Sequence, residues 1–175
     1  MAVRVIQASE LLDLADELAG RGKGPGKPRT IYLRRSISTA YYGVFHRLTQ
    51  HTANRLLGAG WTAKHAGVAR WVAHFDLTAL SNAANGRGNA ALVDALAPVD
   101  SRMANLAQDF IDLQDARHGA DYGDFFVVSK AATLSYVDAA RRAVALADDL
   151  FAIQEPSYMR FLGLAVGGVK IAKVR

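Results

Sequence analysis

The chain has 175 residues, a length typical of one domain. Its composition of 51% apolar and 21% charged residues supports a buried core and excludes general disorder. There is no cysteine, which excludes disulfides, thiolate metal sites and cysteine nucleophiles. The net charge of +5, from 21 basic and 16 acidic residues, favours polyanionic partners only slightly.

The beginning of the chain lacks the apolar run of a secretory signal, because polar and acidic residues interrupt it. The longest apolar stretch, residues 161–169, is too short to span a bilayer and is broken by glycines. We therefore expect a cytoplasmic protein that does not contact a membrane.

Two helices are predicted on either side of a glycine-rich linker. Ser9 can cap the first, over residues 10–19. The linker of residues 20–28 ends this helix, because its four glycines and two prolines cannot sustain regular structure. A long helix is predicted over residues 29–57, since apolar side chains recur there at four- and three-residue steps: Ile37, Tyr41, Val44 and Leu48.

The middle of the chain predicts two further helices. The third covers residues 62–75 and is followed by a soft stretch, residues 76–89, whose NGRGN sequence is typical of turns. The fourth ends at Gly119 or Gly123, and Pro98 predicts a kink or a fresh start within it. Its apolar residues alternate four- and three-residue steps, as in packed antiparallel helices: Leu92, Leu96, Val99, Met103, Leu106, Phe110 and Leu113.

A fifth helix is predicted after Ser129, which can cap it, and ends before Pro156. Residues 157–175 are apolar and basic and have no clear period. The prediction is an all-α protein, an up-and-down helical bundle of four to five main helices. The bundle forms one domain, residues 1–156, and residues 157–175 form a C-terminal tail.

The familiar catalytic and cofactor motifs are missing from the sequence. No phosphate loop, dinucleotide fingerprint, zinc-protease motif, EF-hand or kinase signature is present. The five histidines do not fall at metal-ligand spacing with a carboxylate, and no pair of carboxylates has a spacing that suggests catalysis. We therefore predict neither a metal site nor a cofactor.

Polar and aromatic side chains form a second stripe on the long predicted helix, beside its apolar face. The apolar pattern of the fourth helix also ends in an arginine, with an aspartate and a tyrosine shortly after it. If the two helices pack together, seven side chains can converge near one end of the bundle: Arg35, Ser38, Tyr42, His46, Arg117, Asp121 and Tyr122.

Two interpretations of this group remain open. In one, Arg117 forms a structural ion pair with Asp121 or Asp115, because a partly buried arginine needs an acceptor, and Tyr42 and His46 only flank the core. In the other, the group binds a phosphodiester or a nucleotide phosphate. Arginine then holds the anion, histidine transfers a proton, and tyrosine stacks or donates a hydrogen bond.

Three segments carry recognisable motifs. Residues 34–48 read RRSISTAYYGVFHRL, residues 64–75 read KHAGVARWVAHF, and residues 110–123 read FIDLQDARHGADYG. Together, in this order, they resemble the arginine–Tyr-Tyr helix, the Lys-His motif and the arginine–Ala-Asp-Tyr motif of HEPN-domain proteins. The match is to the small uncharacterised prokaryotic branch of that family, and it spans residues 31–151.

The resemblance implies a four- or five-helix up-and-down fold that commonly dimerises, so we expect a homodimer. Family members are often toxins of toxin–antitoxin pairs, defence proteins or RNA-processing factors. They are encoded beside a minimal nucleotidyltransferase, which implies a nucleotidyltransferase partner. Active members cleave RNA without metal: an arginine holds the scissile phosphate, and a histidine a few residues later moves a proton as the ribose 2′-hydroxyl attacks.

The sequence departs from this pattern at the histidine. Arg117 matches the family's arginine, but the only imidazole nearby is the adjacent His118, rotated by about 100° around a helix. We therefore hypothesise that Arg117 and His46 are catalytic. The residues predicted to bind RNA or a nucleotide are Arg35, Tyr42, His65, Asp121 and Tyr122.

Two alternatives follow from these residues. His65 either fixes the loop before the third helix through hydrogen bonds or faces a ligand together with Lys64 and Arg70. The protein is either a metal-independent endoribonuclease with a variant active site, acting in a toxin–antitoxin or defence system, or a non-catalytic module. Such a module would hold a nucleotide or dock a nucleotidyltransferase.

Overall fold

The protein is all-α, as predicted. A computed structural model describes residues 5–172, and within this range nine helices and no strand are found. The helices are α1 Ala8–Ala19, α2 Thr30–Leu57, α3 Ala63–Ala69, α4 His74–Ala84, α5 Ala90–Leu96, α6 Ser101–Tyr122, α7 Lys130–Ala152, α8 Pro156–Leu164 and α9 Gly168–Ala172. None of them is both long enough and apolar enough to cross a bilayer.

The four longest helices, α1, α2, α6 and α7, form the predicted up-and-down bundle. α1 and α2 are antiparallel, as two contacts show. Ser36 of α2 donates a hydrogen bond to the carbonyl of Ala15, and Gly43, two turns later in α2, packs closely on Leu12, which precedes Ala15 in α1. α6 and α7 are also antiparallel and are linked by the ion pair between Arg142 and Asp109.

The bundle is held together by the predicted apolar faces. On α2 and α6 every fourth or third side chain is buried, so each helix presents a continuous apolar stripe to its neighbours. Alanine fills the positions on α7 where helices approach closely. The fully buried side chains of these helices include Ile37, Tyr41, Leu48, Met103, Leu106, Phe110, Val137 and Leu150.

The region predicted as a soft stretch contains a helix. The predicted third helix breaks after Ala69, and α4 begins at His74. Leu77 and Leu80 of α4 are fully buried at helical spacing, and the turn that the NGRGN sequence indicates begins only at Asn85. Turn residues at the end of the segment therefore concealed a helix that tertiary packing stabilises.

Helix ends follow the sequence signals in several places. Pro98 separates α5 from α6, so the predicted fresh start is confirmed, and α6 ends at Tyr122 with Gly123 as its C-cap. Ser129 caps α7 by accepting a hydrogen bond from the amide of Ala132. The predicted cap of α1 is wrong, because α1 begins at Ala8 and Ser9 lies inside it.

The C-terminal segment differs from the predicted tail. Glu155 caps α8 by accepting a hydrogen bond from the amide of Tyr158. Tyr158 and Phe161 belong to the main apolar core, so the core continues past residue 156. Lys170 lies in α9, whereas residues 173–175, the end of the predicted tail, lie outside the described residues.

Candidate functional site

A cavity of about 640 Å³ opens between the N-terminal part of α2 and the C-terminal end of α6. Five of the seven predicted site residues line it, whereas His46 and His65 do not. Its lining residues are Thr30, Ile31, Arg34, Arg35, Tyr42, Arg117, Ala120, Asp121 and Tyr122.

Arg34 fixes the position of the α6 terminus against α2. Its Nε donates to the carbonyl of Ala120 at 2.6 Å, and its Nη2 donates to the carbonyl of Gly123 at 2.9 Å. The last carbonyls of a helix have no intrahelical donor, so the arginine completes the C-terminal end of α6 and neutralises its negative dipole end. No pattern in the sequence singled out Arg34, although this residue begins the first of the three motifs.

Arg117 lies at the inner end of the cavity with a side chain 19% exposed. Its Nη2 donates to the hydroxyl of Tyr42 at 3.2 Å. Its Nε lies 2.8 Å from Asp121 Oδ2, but the N–H is not aligned with that oxygen, so this contact is an ion pair only. Asp121 in turn accepts a hydrogen bond from Ser38. The predicted ion pair with Asp121 is therefore present.

Aromatic rings surround the Arg117 guanidinium. Its central carbon lies 5.5 Å from the ring centre of Tyr122, 5.7 Å from that of Tyr42 and 5.9 Å from that of Tyr41. These rings attract the cation through their faces and limit its movement. The remaining terminal nitrogen, Nη1, has no hydrogen-bond partner among residues 5–172, so the structural contacts leave two N–H donors free.

The charge of the cavity is positive. Three guanidinium groups line it against one carboxylate, that of Asp121. Arg35 is exposed, and no acidic side chain of the described residues forms an ion pair with it. Thr30 and Ile31, in the first turn of α2, line the same cavity, and no side chain caps this helix. The unpaired amides of a helix N-terminus favour an anion.

His46 lies outside this cavity, half-buried on the same face of α2. Its ring centre is 6.3 Å from that of Tyr42, and burial lowers the pKa of its imidazole. The ring faces a second cavity, formed by α2, α3 and α4. No histidine of the chain lines the Arg117 cavity, since all five lie within the described residues and none is among its lining residues.

His74 is a neighbour of the site that the sequence analysis did not identify. Its Nδ1 lies 2.6 Å from the Tyr41 hydroxyl, and its ring stacks on Phe45 with centres 3.8 Å apart. Burial, followed by the positive charge of Arg117 and the nearby His46, lowers the pKa of this imidazole. No local spacing could have indicated this contact, because it depends on how α4, which packs on α6, brings its first residue to the side of α2.

His65 has a structural position. It is buried; its Nδ1 accepts from the Thr62 hydroxyl at 2.8 Å, and its Nε2 donates to the carbonyl of Gly58 at 3.0 Å. Both ring nitrogens are therefore occupied, and the side chain fixes the loop between α2 and α3. Of the two interpretations of His65, the structure supports the loop-fixing one.

The arrangement can bind an anion, but within one chain it presents no imidazole to that anion. Across residues 5–172, no group of three or more histidine, aspartate or glutamate side chains is placed to hold a metal ion. Comparison of the chain with family models, with curated proteins and with solved structures finds no match.

Proposed function

We propose that this protein is HEPN-like and binds a phosphate group of RNA or of a nucleotide in the Arg117 cavity. The observation that carries the proposal is the Nη1 of Arg117: aromatic rings hold this guanidinium in place, yet within residues 5–172 no group accepts its two Nη1 donors. A planar guanidinium with free donors is suited to phosphate oxygens.

Two further features favour phosphate over a neutral ligand. Arg35, on the cavity wall, forms no ion pair with an acidic side chain of the described residues, and the uncapped first turn of α2 adds the partial positive charge of a helix N-terminus. The exposed ring of Tyr122 lies beside Arg117 and offers a face on which a base can stack.

Catalysis is the second candidate function, and it requires an imidazole from elsewhere. Tyr122, Phe125 and Val127 are 65%, 96% and 85% exposed next to the cavity, an apolar surface that a second copy of the chain could cover. His118 is exposed, and its ring centre is 5.2 Å from that of Tyr122. In a homodimer, this imidazole could reach the partner's bound phosphate.

The family resemblance supports the biological setting of either function. It favours a toxin–antitoxin or defence system with a nucleotidyltransferase as partner. A non-catalytic phosphate-binding module ranks first, because the Arg117 donors are present in one chain, whereas the proton-transfer group is not.

Binding is tested by titrating a fluorescein-labelled hexa-adenylate with the protein and measuring fluorescence anisotropy. Arg117→Ala should weaken binding by about 10- to 100-fold, because charge-assisted hydrogen bonds to the phosphate are lost. Arg142→Ala is the matched control: it removes the same charge from α7, where the side chain is 61% exposed, and should retain wild-type affinity. Equal affinity of all three proteins would contradict the proposal.

The second candidate is tested by incubating single-stranded RNA with the protein in EDTA. An endoribonuclease of the kind that the resemblance implies leaves 2′,3′-cyclic phosphate ends. Wild-type cleavage that both Arg117→Ala and His118→Ala abolish would favour the dimeric nuclease. Absence of cleavage at protein concentrations that saturate RNA binding would contradict the nuclease and support only the binding function.

A further inference from the structure

The second cavity, of about 420 Å³, has walls suited to a flat ring. It lies between α2, α3 and α4, and residues 5–6 form one side. Its polar groups include Gln50, whose amide nitrogen donates to the carbonyl of Ile6. Four of its side chains carry rings: Phe45, His46, Trp61 and His74. Sites that bind single-stranded nucleic acid present such rings to the faces of bases.

This aromatic cavity is next to the Arg117 cavity, and Tyr42 connects them. The Tyr42 hydroxyl accepts from Arg117, while its ring packs edge-on against His74 with centres 5.9 Å apart and lies 6.3 Å from the His46 ring. Arg35, Tyr42 and His46 share one face of α2, and the rise from residue 35 to residue 46 is about 16 Å.

In a strand of RNA, charged phosphates lie next to flat bases, and on this face of α2 cationic side chains lie next to aromatic rings. The Arg117 cavity supplies the cations, and the aromatic cavity begins one helical turn further along α2, at His46. Arg70, which is exposed at the edge of the aromatic cavity, adds a cation on its far side. A nucleotide whose phosphate contacts Arg117 can thus direct its base toward the rings.

We propose that the aromatic cavity binds a nucleobase of single-stranded RNA next to the phosphate held by Arg117. The inference rests on the proposed function and specifies its substrate class. Phe45 and His74 stack on each other and form one wall, so His46 and Trp61 provide the stacking surface. Stacking accepts any base because every base has a flat face. Burial lowers the pKa of both imidazoles, so their rings are neutral at pH 7 and stack without desolvating a charge.

The test compares two strands by fluorescence anisotropy: fluorescein-labelled hexa-adenylate and the same strand with all its bases removed. The wild-type protein should bind the strand with bases about 10-fold or more tightly, since each stacked base contributes a factor of this order. Trp61→Ala should remove this preference and leave binding of the abasic strand unchanged. Trp71→Ala is the matched control, because Trp71 is 63% exposed and lies outside the cavity.

A second pair of variants covers the case in which Trp61→Ala does not fold. His46→Ala should lower the affinity for hexa-adenylate, whereas His46→Phe should restore it, because a ring rather than a titrating group is required. If Arg117→Ala abolishes binding but the wild type holds both strands equally, the phosphate site stands and the stacking inference is overturned. If the wild type binds neither strand, the proposed function itself is contradicted.

Discussion

Arg117 combines a structural and a functional position in one side chain. Its Nε and Nη2 contact Asp121 and Tyr42, which hold the guanidinium in the cavity, and its Nη1 is left for an incoming group. A fully paired, buried arginine would be unavailable to a ligand, whereas a fully exposed one would lose more rotamer freedom on binding. The intermediate exposure of 19% is therefore what allows a preorganised anion site.

Asp121 competes with a bound phosphate for Arg117. Asp121→Asn removes this negative charge and keeps an oxygen that can accept from Ser38. We expect the affinity for hexa-adenylate to rise by roughly 3- to 10-fold, equivalent to about 1 kcal/mol of removed repulsion. Asp94→Asn, at an exposed position of α5, changes the net charge equally and should have little effect in the same anisotropy titration. Weaker binding by Asp121→Asn would argue against an anion site.

The half-buried His46 and His74 predict a loss of stability in mild acid. Burial in the folded state lowers the pKa of His46 and His74 below the ordinary histidine value of 6.5, so the unfolded chain takes up protons first as the pH falls. The free energy of unfolding should therefore decrease as the pH falls through 6.5 toward the folded-state pKa values. At higher pH the histidines are neutral in both states, so this destabilisation is absent.

Urea unfolding at pH 7.5 and pH 5.5 measures this effect. A His46→Gln/His74→Asn double variant should lose much of the difference between the two pH values, because the asparagine oxygen can still accept from Tyr41 while neither side chain titrates. His118→Asn alters an exposed histidine and should retain the wild-type difference. If the double variant keeps the wild-type difference between the two pH values, groups other than His46 and His74 cause that difference.

At the scale of elements, the site depends on the meeting of two helix ends. Arg34 joins the start of α2 to the end of α6 through two carbonyls. Phe126 then packs on Gly119, where a Cβ would lie 2.6 Å from the ring, so only glycine allows the chain to fold back there. These contacts place Asp121 and Tyr122 on the cavity wall.

Neighbouring arginines on α2 should respond differently to substitution. Arg34→Ala should lower the free energy of unfolding by about 1–3 kcal/mol, because two carbonyls lose a charged donor. Arg35→Ala removes an exposed side chain and should leave stability within about 0.5 kcal/mol, while weakening RNA binding. Thermal denaturation followed by circular dichroism measures the stability of both variants, and the anisotropy titration measures their RNA binding. Equal stability of the two variants would contradict the role of Arg34.

For the whole molecule, the C-terminal helices belong to the same core as the bundle. Tyr158 is fully buried, and His51 Nδ1 lies 2.8 Å from its hydroxyl. His51 also contacts Asp148 of α7 at 3.3 Å, so this network joins α2, α7 and α8. The helical domain therefore includes residues that the sequence analysis assigned to a tail.

Phe161→Ala tests this extension of the core. Phe161 is 1% exposed, so its truncation should destabilise the protein by about 3–5 kcal/mol. Ile171→Ala, at a site that is 63% exposed, should change stability by less than about 0.5 kcal/mol. Chemical denaturation measures both variants. A change below 1 kcal/mol for Phe161→Ala would mean that α8 contributes little to folding.

Local spacing was sufficient for most of the fold and for half of the site. The periods of α2, α6 and α7 were readable because a helix places every third or fourth residue on one face, whatever surrounds it. The same regularity grouped Arg35, Tyr42 and His46 on one helix, and Arg117, Asp121 and Tyr122 on another. Five of these six side chains line the Arg117 cavity, because the apolar faces of the two helices pack together, whereas His46 lines the aromatic cavity.

Contacts between distant segments could not be read in this way. Whether His46 or His74 lies beside Arg117 depends on how α4 packs on α6 and on where its first residue meets α2, and no residue spacing encodes that arrangement. The burial of α8 likewise depends on a surface that α2, α5 and α7 create together. Packing of non-adjacent helices decides which polar groups share a cavity. The reason is that the burial of a side chain depends on all the residues around it in space, however far apart they are in sequence.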